Sequence, residues 1–363
     1  MSPSESRTTL LIRSLCTTSK VTFILGLSII SLMTMSSCSE NKWDVNVDEI
    51  NLPNEFSVRN FNQAIQNISN NDSTSLKQLR QNYKLFLTDY CENIIKIGNS
   101  QSIETVEKLR EFVAHPDTKE TLFAIDSTSG KPEFLEKVAL YLENGFKRLH
   151  IFMPLETTPE IIWMNSGFNF AVYPRDEFVA VGLEWFLGPD HPLLNLLPPD
   201  RFPKYQQLRM HPDLMAADAM KGWMLVHFIN RGYTGEKCID DILYWGKILW
   251  LLGKCMPEQY EHVLMDWTPE DLAWAKANET AIWIELQPAH VLFETNRTVF
   301  HSWLTDGPFT KFGSIPQESP DRLGAWMGLR IVDDYMEKHP ELSAEQLFSE
   351  MNHIPFLKSY RPE

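Results

Sequence analysis

The sequence lacks the short motifs that identify common catalytic and nucleotide-binding sites. It contains no H-E-x-x-H metal motif, no G-x-S-x-G nucleophile turn, no G-x-G-x-x-G loop and no Walker A loop. Basic residues are also scarce, with 33 lysines and arginines against 48 aspartates and glutamates. Binding to nucleic acid needs clustered basic side chains. We therefore expect no cofactor and no nucleic-acid partner, and an enzymatic activity is not predicted.

Cysteine is scarce as well, with five among 363 residues. Cys238 and Cys255 would lie ~25 Å apart on one straight helix, which is too far for a disulfide bond. Together with Cys91 they are predicted to be buried free thiols, because three scattered cysteines form no disulfide framework. Hydrophobic residues, in contrast, make up 43% of the chain and aromatic residues 12%. This composition predicts a packed core and excludes a disordered chain.

The first 37 residues have the pattern of an export signal. Three basic residues precede an apolar stretch at 21–35, which is shorter than the ~20 residues that span a bilayer. The following Met35-Ser36-Ser37-Cys38 resembles a bacterial lipobox, in which the cysteine is acylated. We predict a lipoprotein signal peptide over 1–37, acylation of Cys38, for example with palmitate, and a polar tether over 38–60. The alternative is an ordinary secretory signal that leaves Cys38 as a free thiol.

An acylated Cys38 would make the lipid bilayer the first partner of the protein. The protein would then lie in the cell envelope, exported and facing the periplasm, and anchored by lipid. No other apolar run of about 20 uncharged residues occurs in the sequence. The pattern therefore predicts a membrane-anchored protein that does not span the membrane, and it leaves the inner and the outer membrane as alternatives.

The rest of the chain has a strand-like middle between two helical parts. Helical periodicity dominates the first hundred residues after Cys38 and returns from residue 213 onward. Between these parts, short apolar runs predict a small sheet of three or four strands, at 148–154, 161–165, 168–173 and 178–186. We therefore predict a single, predominantly helical α+β domain over residues 61–363.

Three side chains with metal-binding chemistry lie in a helix predicted near residues 288–303. His290, Glu294 and His301 stand at positions i, i+4 and i+11, so they share one face if the helix is unbroken. Imidazole and carboxylate groups on one face can hold a metal ion. The alternative interpretation is a polar stripe with ordinary hydrogen bonds.

Two other segments are candidates for the walls of a binding cleft between the sheet and the C-terminal helices. The loop after the last predicted strand contains Asp190 and His191, and loops that leave a sheet often carry binding residues. Arg322 begins a later helix, where it could pair with a buried carboxylate. Gly324 and Gly328 follow four residues apart, so they share a helix face that allows another backbone to approach closely. A purely structural role is the alternative for both segments.

Several segments together resemble the gliding-motility lipoprotein B family. They are the lipobox, residues 178–188 with the stretch that ends at Tyr205, residues 320–332, and residues 357–362. The resemblance implies an envelope lipoprotein that supports surface gliding and the associated protein secretion, with other proteins of that machinery as partners. It also implies a distant relation to zincin peptidases, and thus a zincin-like architecture. Because the H-E-x-x-H position is not filled, the resemblance transfers no catalytic residues.

Three functional hypotheses follow from these observations. The first is a lipid-anchored, non-catalytic scaffold or assembly factor for gliding and secretion. The second is a divergent metal-dependent hydrolase of envelope peptide or glycan, which would use His290, Glu294 and His301. The third is a binding module whose cleft lies near Asp190 and Arg322.

Overall fold

The computed structural model describes residues 42–66 and 73–362. The predicted signal peptide and Cys38 lie outside the described residues. The chain separates into two units, residues 1–45 and residues 46–363. In the first unit only residues 42–45 are described, and they begin with a turn. The second unit combines many helices with one small sheet, which confirms the predicted α+β class.

The elements of the second unit have the following bounds. The strands are β1 (Val58–Asn60), β2 (Glu160–Met164), β3 (Val172–Pro174) and β4 (Phe178–Gly182). The helices before residue 200 are α1 (Phe61–Gln66), α2 (Ser73–Asn82), α3 (Lys84–Asp89), α4 (Ile103–Ala114), α5 (Pro116–Ser127) and α6 (Pro132–Phe152). Those after it are α7 (Lys204–Leu208), α8 (Met215–His227), α9 (Cys238–Cys255), α10 (Glu261–Leu264), α11 (Pro269–Ala277), α12 (Glu279–Leu286), α13 (Ala289–Leu292), α14 (Arg297–Phe300), α15 (Leu323–Lys338), α16 (Ala344–Ser349) and α17 (His353–Ser359). Among the helices of the described ranges, none combines the length and the apolar character needed to cross a membrane.

The four strands form one mixed sheet in the order β1-β2-β4-β3. Strands β1, β2 and β4 are parallel, and β3 runs antiparallel along β4 at the edge. Every residue of β4 is buried, as are the last four of β2. Strands covered on both faces have continuous apolar sequences rather than alternating ones. This is why the runs Ile-Ile-Trp-Met and Phe-Val-Ala-Val were recognisable as strands from the sequence.

The structure places several element boundaries differently from the predicted ones: β3 starts only at Val172, and β4 ends at Gly182, where a 3₁₀ turn over Leu183–Phe186 follows. Residues 148–154 form no strand, because α6 continues to Phe152 and buries Phe146, Leu149 and Phe152 at helical spacing. The domain also begins before residue 61, because β1 pairs with β2 and Phe56 contacts the ring of Phe146. The segment predicted as a tether over 38–60 therefore belongs to the domain from residue 46 onward.

The helix predicted near residues 288–303 is interrupted. Helix α13 ends at Leu292 and α14 starts at Arg297. Between them, the carboxylate of Glu294 accepts hydrogen bonds from two backbone N–H groups, at 2.8 Å and 2.7 Å. Asn296 then caps α14 by accepting from the N–H of Thr298 at 3.1 Å. Side chains that bond the local backbone in this way favour a helix start over a continuous helix.

The C-terminal half is built around the close contact of α9 with α15. A Cβ atom on Gly246 would lie 2.2 Å from the carbonyl oxygen of Gly328, and one on Gly328 would lie 2.0 Å from the carbonyl oxygen of Ile242. A Cβ atom on Gly324 would lie 2.8 Å from the carbonyl oxygen of Trp303. The two backbones therefore touch without intervening side chains, as predicted for the face that carries Gly324 and Gly328.

We predict that Gly246→Ala destabilises the domain. An added methyl group has no space between α9 and α15, and overpacking of this kind costs ~1–3 kcal/mol, in spite of the ~1 kcal/mol that alanine gains in a helix. Gly253→Ala in the same helix is the matched control, because its Cβ would lie 3.5 Å from the nearest atom of Leu264. Chemical denaturation should show a loss of stability for the first variant and none for the second. Equal effects would contradict the close-contact interpretation.

Candidate functional site

Two neighbouring clefts lie beside α7 and α8, and they share a wall. The larger cleft, of about 430 Å³, is bordered by residues after α10 and by the loop before α15. The smaller cleft, of about 290 Å³, is bordered by residues 169–172 and by Trp185. Tyr205, Arg209 and Asp266 line both clefts. We call the charged groups that separate the two clefts the ridge: Arg209, Asp218, Lys221, Asp266, Asp306, Asp321 and Arg322.

Arg322 is the most highly connected member of the ridge. It has a left-handed backbone, with φ of 52°, directly before the first turn of α15. Its guanidinium lies 2.8 Å from the carboxylate of Asp266 and 3.2 Å from that of Asp306, and it donates to the carbonyl of Met265 at 2.5 Å. The guanidinium also lies 3.4 Å from the fully buried carboxylate of Asp321, so Arg322 has a buried carboxylate among its partners.

Lys221 connects α8 to the same carboxylate. Its ammonium group donates to the carbonyl of Leu264 at 3.1 Å, pairs with Asp218 at 3.0 Å, and bonds Asp266. Asp218 and Lys221 stand three residues apart on one face of α8, and Asp218 lines the smaller cleft. Asp266, also left-handed at φ of 55°, thus accepts from Lys221 and from Arg322.

Asp321 closes the ridge on the side of the larger cleft. Its side chain is 0% exposed and lies 2.7 Å from the guanidinium of Arg209. It also accepts from the indole N–H of Trp267 at 3.2 Å and from the backbone N–H of Gly307 at 2.9 Å. Both carboxylate oxygens therefore have donors, as a buried charge requires.

The surroundings shift the pKa values of two neighbouring aspartates of the ridge, Asp218 and Asp266, in opposite directions. Burial and the nearby charge of Asp266 raise the pKa of Asp218, so its neutral form is favoured. Burial opposes ionisation of Asp266 too, but the positive charges of Lys221 and Arg322 outweigh it and lower the pKa of Asp266. Lys221 and Arg322 thus hold these carboxyl groups together where the linings of the two clefts meet.

A second buried carboxylate shapes the rim of the smaller cleft. Glu184 follows β4 and accepts hydrogen bonds from the N–H of Ser166 at 2.8 Å, from the N–H of Phe168 at 3.0 Å, and from the hydroxyl of Ser166. Burial raises the pKa of Glu184 to about 7. This carboxyl group holds a loop that contains left-handed Phe168 and continues into Asn169 and Phe170 on the cleft wall.

The other two candidates for a binding cleft, Asp190 and His191, lie elsewhere. His191 accepts from the N–H of Leu193 at 3.2 Å and caps a short 3₁₀ turn, Pro192–Leu196. Asp190 is exposed in the same loop. Neither residue lines the two clefts described above. Arg322 does not line these clefts either, so a binding cleft formed by Asp190, His191 and Arg322 stays a prediction.

The predicted metal ligands are not brought together. His290 lies in α13, Glu294 in the break that follows, and the Nδ1 atom of His301 contacts the carbonyl of Thr298 at 3.0 Å. Over residues 42–66 and 73–362, no group of three or more His, Cys, Asp or Glu side chains has an arrangement that could hold a metal ion.

The three cysteines of the described chain are free and buried, as predicted. Burial raises the pKa of Cys91 and of Cys238 to about 12. Both thiols are therefore protonated near neutral pH, which suits core packing and not nucleophilic attack.

Comparison with known proteins gives one result. The family model described as gliding motility protein GldB matches residues 40–362. A search of the curated proteins and a search of the solved structures each returned no match. The zincin-like architecture implied by the sequence resemblance therefore stays a prediction.

We predict that Glu184 makes stability depend on pH. Its pKa of about 7 lies above the ordinary value of 4.5, so its favourable contribution is complete below pH 4.5 and is lost as the pH rises through 7. A shift of this size corresponds to about 3 kcal/mol. Glu184→Gln keeps a hydrogen-bond acceptor at this site but has no group that ionises. The free energy of unfolding of the variant minus that of the unsubstituted protein should therefore rise by about 3 kcal/mol between pH 4.5 and pH 8. Denaturant titrations at both pH values measure this difference in unfolding free energy, and Glu120→Gln, at an exposed site, is the control. A difference that is the same at both pH values would refute the prediction.

We also predict that substitution of two aspartates that contact Arg322 lowers the stability of the fold by unequal amounts. Asp321→Asn leaves Arg209 without its buried partner and should cost about 3 kcal/mol or more. Asp306→Asn should cost under about 1 kcal/mol, because its side chain is 66% exposed and solvent screens the pair. Thermal and chemical denaturation of the two variants, compared side by side, measure the difference. Similar losses would show that the ridge does not depend on its buried charges.

Proposed function

Because the chain belongs to the gliding motility protein GldB family, we propose that it is a lipid-anchored, non-catalytic scaffold of the gliding machinery. The family match covers residues 40–362, which includes every residue of the domain from Asn46 onward except Glu363, so involvement in gliding applies to the whole fold. The proposal adds three points: acylation at Cys38, support of the associated protein secretion, and a role in holding partner proteins in the cell envelope.

The ridge is the observation that carries the scaffold role. Its two arginines and one lysine are bound to four aspartates, and these contacts join α8, the residues after α10 and the start of α15. A wall fixed in this way is suited to presenting constant surfaces to a partner. Catalysis instead needs a group free to exchange a proton or attack a substrate.

The position of Cys38 supports the anchor. Seven residues separate it from Asn46, where the compact domain begins. An extended chain gains at most ~3.6 Å per residue, so an acyl group on Cys38 would keep the domain near the bilayer surface. Lipid anchoring of this kind needs no membrane-spanning helix.

We predict that Cys38→Ser releases the protein from the membrane fraction and reduces colony spreading and protein secretion to the level of a deletion strain. Ser39→Ala, next to the acylation site, is the matched control and should leave both unchanged. Fractionation, mass spectrometry of the N-terminal peptide and spreading assays measure these outcomes. Normal spreading by a Cys38→Ser strain would contradict the anchor.

A second measurement on the same strains separates a scaffold from an enzyme. When expression is lowered stepwise, a scaffold fails in proportion to its amount, because each copy holds one set of partners. An enzyme in excess would retain nearly full spreading at a tenth of the normal amount. The latter outcome would overturn the scaffold proposal and leave the anchor intact.

A further inference from the structure

His227, the last residue of α8, lies between two carboxylates. Its Nε2 atom is 2.6 Å from the carboxylate of Glu156, in the loop that follows α6, and its Nδ1 atom is 2.8 Å from the carboxylate of Asp176. Asp176 belongs to the turn that joins β3 to β4. One imidazole ring therefore connects three parts of the fold: the end of α8, the loop before β2 and the β3–β4 turn.

The charge of the His227 ring decides whether both contacts can exist together. An ionised carboxylate only accepts hydrogen bonds, whereas a neutral imidazole has one N–H donor and a charged imidazole has two. In a neutral ring, one nitrogen would direct its lone pair at a carboxylate oxygen. Both contacts are therefore favourable only when the ring is charged, and histidine is the side chain whose charge ordinarily changes between pH 5 and 8.

Two further features favour a positive charge at this position. The ring stacks on the indole of Trp223, with ring centres 4.2 Å apart and planes inclined by 15°, and an aromatic face attracts a cation. His227 also lies at the C-terminal end of a helix, where the backbone carbonyl groups favour positive charge. Arg231 acts in the opposite sense, because it brings a second positive charge to Glu156.

The elements packed against α8 carry other charged and titratable groups, whose contacts lie away from His227. The pairs include Lys147–Glu143 and Arg148–Glu258 on α6, Arg175–Asp89 in the β3–β4 turn, Arg297–Asp241 and Lys254–Asp333 on α9, and Lys276–Glu261 on α10. The other groups include His150 on α6, Glu177 in the turn, Asp240 and Lys247 on α9, and His262 on α10. Asp218 and Lys221 of α8 itself belong to the ridge. Glu156 and Asp176 are thus the carboxylates in contact with the ring.

A neutral ring would lose its contact with Asp176 and keep the one with Glu156. Glu156 is 3% exposed and accepts hydrogen bonds from the guanidinium of Arg231 through both oxygens, so it is held at either charge of the ring. The carboxylate of Asp176 is 69% exposed, so water can replace the imidazole as its donor. The turn would then stay attached to α3 through Arg175 and Asp89, but its side-chain contact with the end of α8 would be broken.

We propose that His227 is a proton-dependent clamp, which holds the β3–β4 turn to α8 when its ring is charged and releases Asp176 to solvent when its ring is neutral. The turn carries β3, the edge strand of the sheet. This strand packs closely on α8, since a Cβ atom on Gly222 would lie 3.0 Å from the side chain of Val172. Edge strands present unpaired backbone groups and are often protected by a covering element. The clamp makes the attachment of this edge to α8 depend on pH, and it requires neither the lipid anchor nor a scaffold role.

The test measures amide hydrogen exchange over residues 172–178 in the full protein, extracted from membranes in detergent, at pH 5.5 and pH 8. The rates are expressed as protection factors, which remove the intrinsic effect of pH on exchange. Protection should be roughly threefold higher at pH 5.5, an effect of the size typical of an exposed ion pair. Equal protection at the two pH values would overturn the inference.

Three variants assign the effect to the clamp. Asp176→Asn and His227→Gln should each abolish the pH dependence and leave protection at the pH 8 level of the unsubstituted protein. Glu177→Gln, which changes the neighbouring exposed carboxylate of the same turn, is the matched control and should retain the full pH dependence. Because Glu184 titrates in all of these proteins, its contribution cancels in the comparison.

The two clamp variants also protect the test against a failure to fold. Circular dichroism detects such a failure in His227→Gln, and Asp176→Asn keeps the test decisive because that side chain is largely exposed. A pH dependence that persists in Asp176→Asn, or one that disappears in Glu177→Gln, would refute the clamp.

Discussion

The C-terminal half of the domain depends on one buried set of ion pairs. Arg322 and Lys221 both bond Asp266, and Arg209 bonds Asp321, so that α8, the residues after α10 and the start of α15 share a single charged junction. Removing such charges from water is costly unless each finds partners of opposite sign and good geometry. The left-handed backbones of Asp266 and Arg322 bring their side chains into the junction, and the strain of these conformations is accepted where the surrounding contacts fix them.

The junction determines the form of the surface as well as its stability. Because it stands between the two clefts, their separation cannot change without breaking buried pairs. The close contact of α9 and α15 at Gly246 and Gly328 fixes the helix that begins at Arg322. Glu184 holds the opposite rim through Ser166 and Phe168. Each wall is thus connected to the core by groups with few alternative arrangements.

The sequence predicted local structure better than it predicted the site. The buried strands β2 and β4 and the face with Gly324 and Gly328 depend on neighbouring residues, whose spacing is visible in the chain. The pairing of Arg322 with a carboxylate was foreseeable from its place at a helix start, but its partner was not. Asp266 lies 56 residues before Arg322, and Asp321 directly precedes it. Lys221 lies 45 residues before Asp266, and no sequence periodicity connects these two positions. The apparent face of His290, Glu294 and His301 failed for a related reason, since it assumed a helix that local capping at Asn296 interrupts.

An anchored scaffold changes what affinity a binding surface needs. Two components confined to one membrane meet at a high effective concentration, and linkage of this kind raises overall binding by orders of magnitude without any added contact. A surface that holds a partner of such an anchored protein would then suffice with modest intrinsic affinity. The acidic character of the chain, with 48 aspartates and glutamates against 33 lysines and arginines, disfavours adhesion of the domain to anionic lipid headgroups. Anchoring through an acyl group on Cys38, as proposed, would therefore hold the domain at the membrane while the surface of the domain stays free of the headgroups.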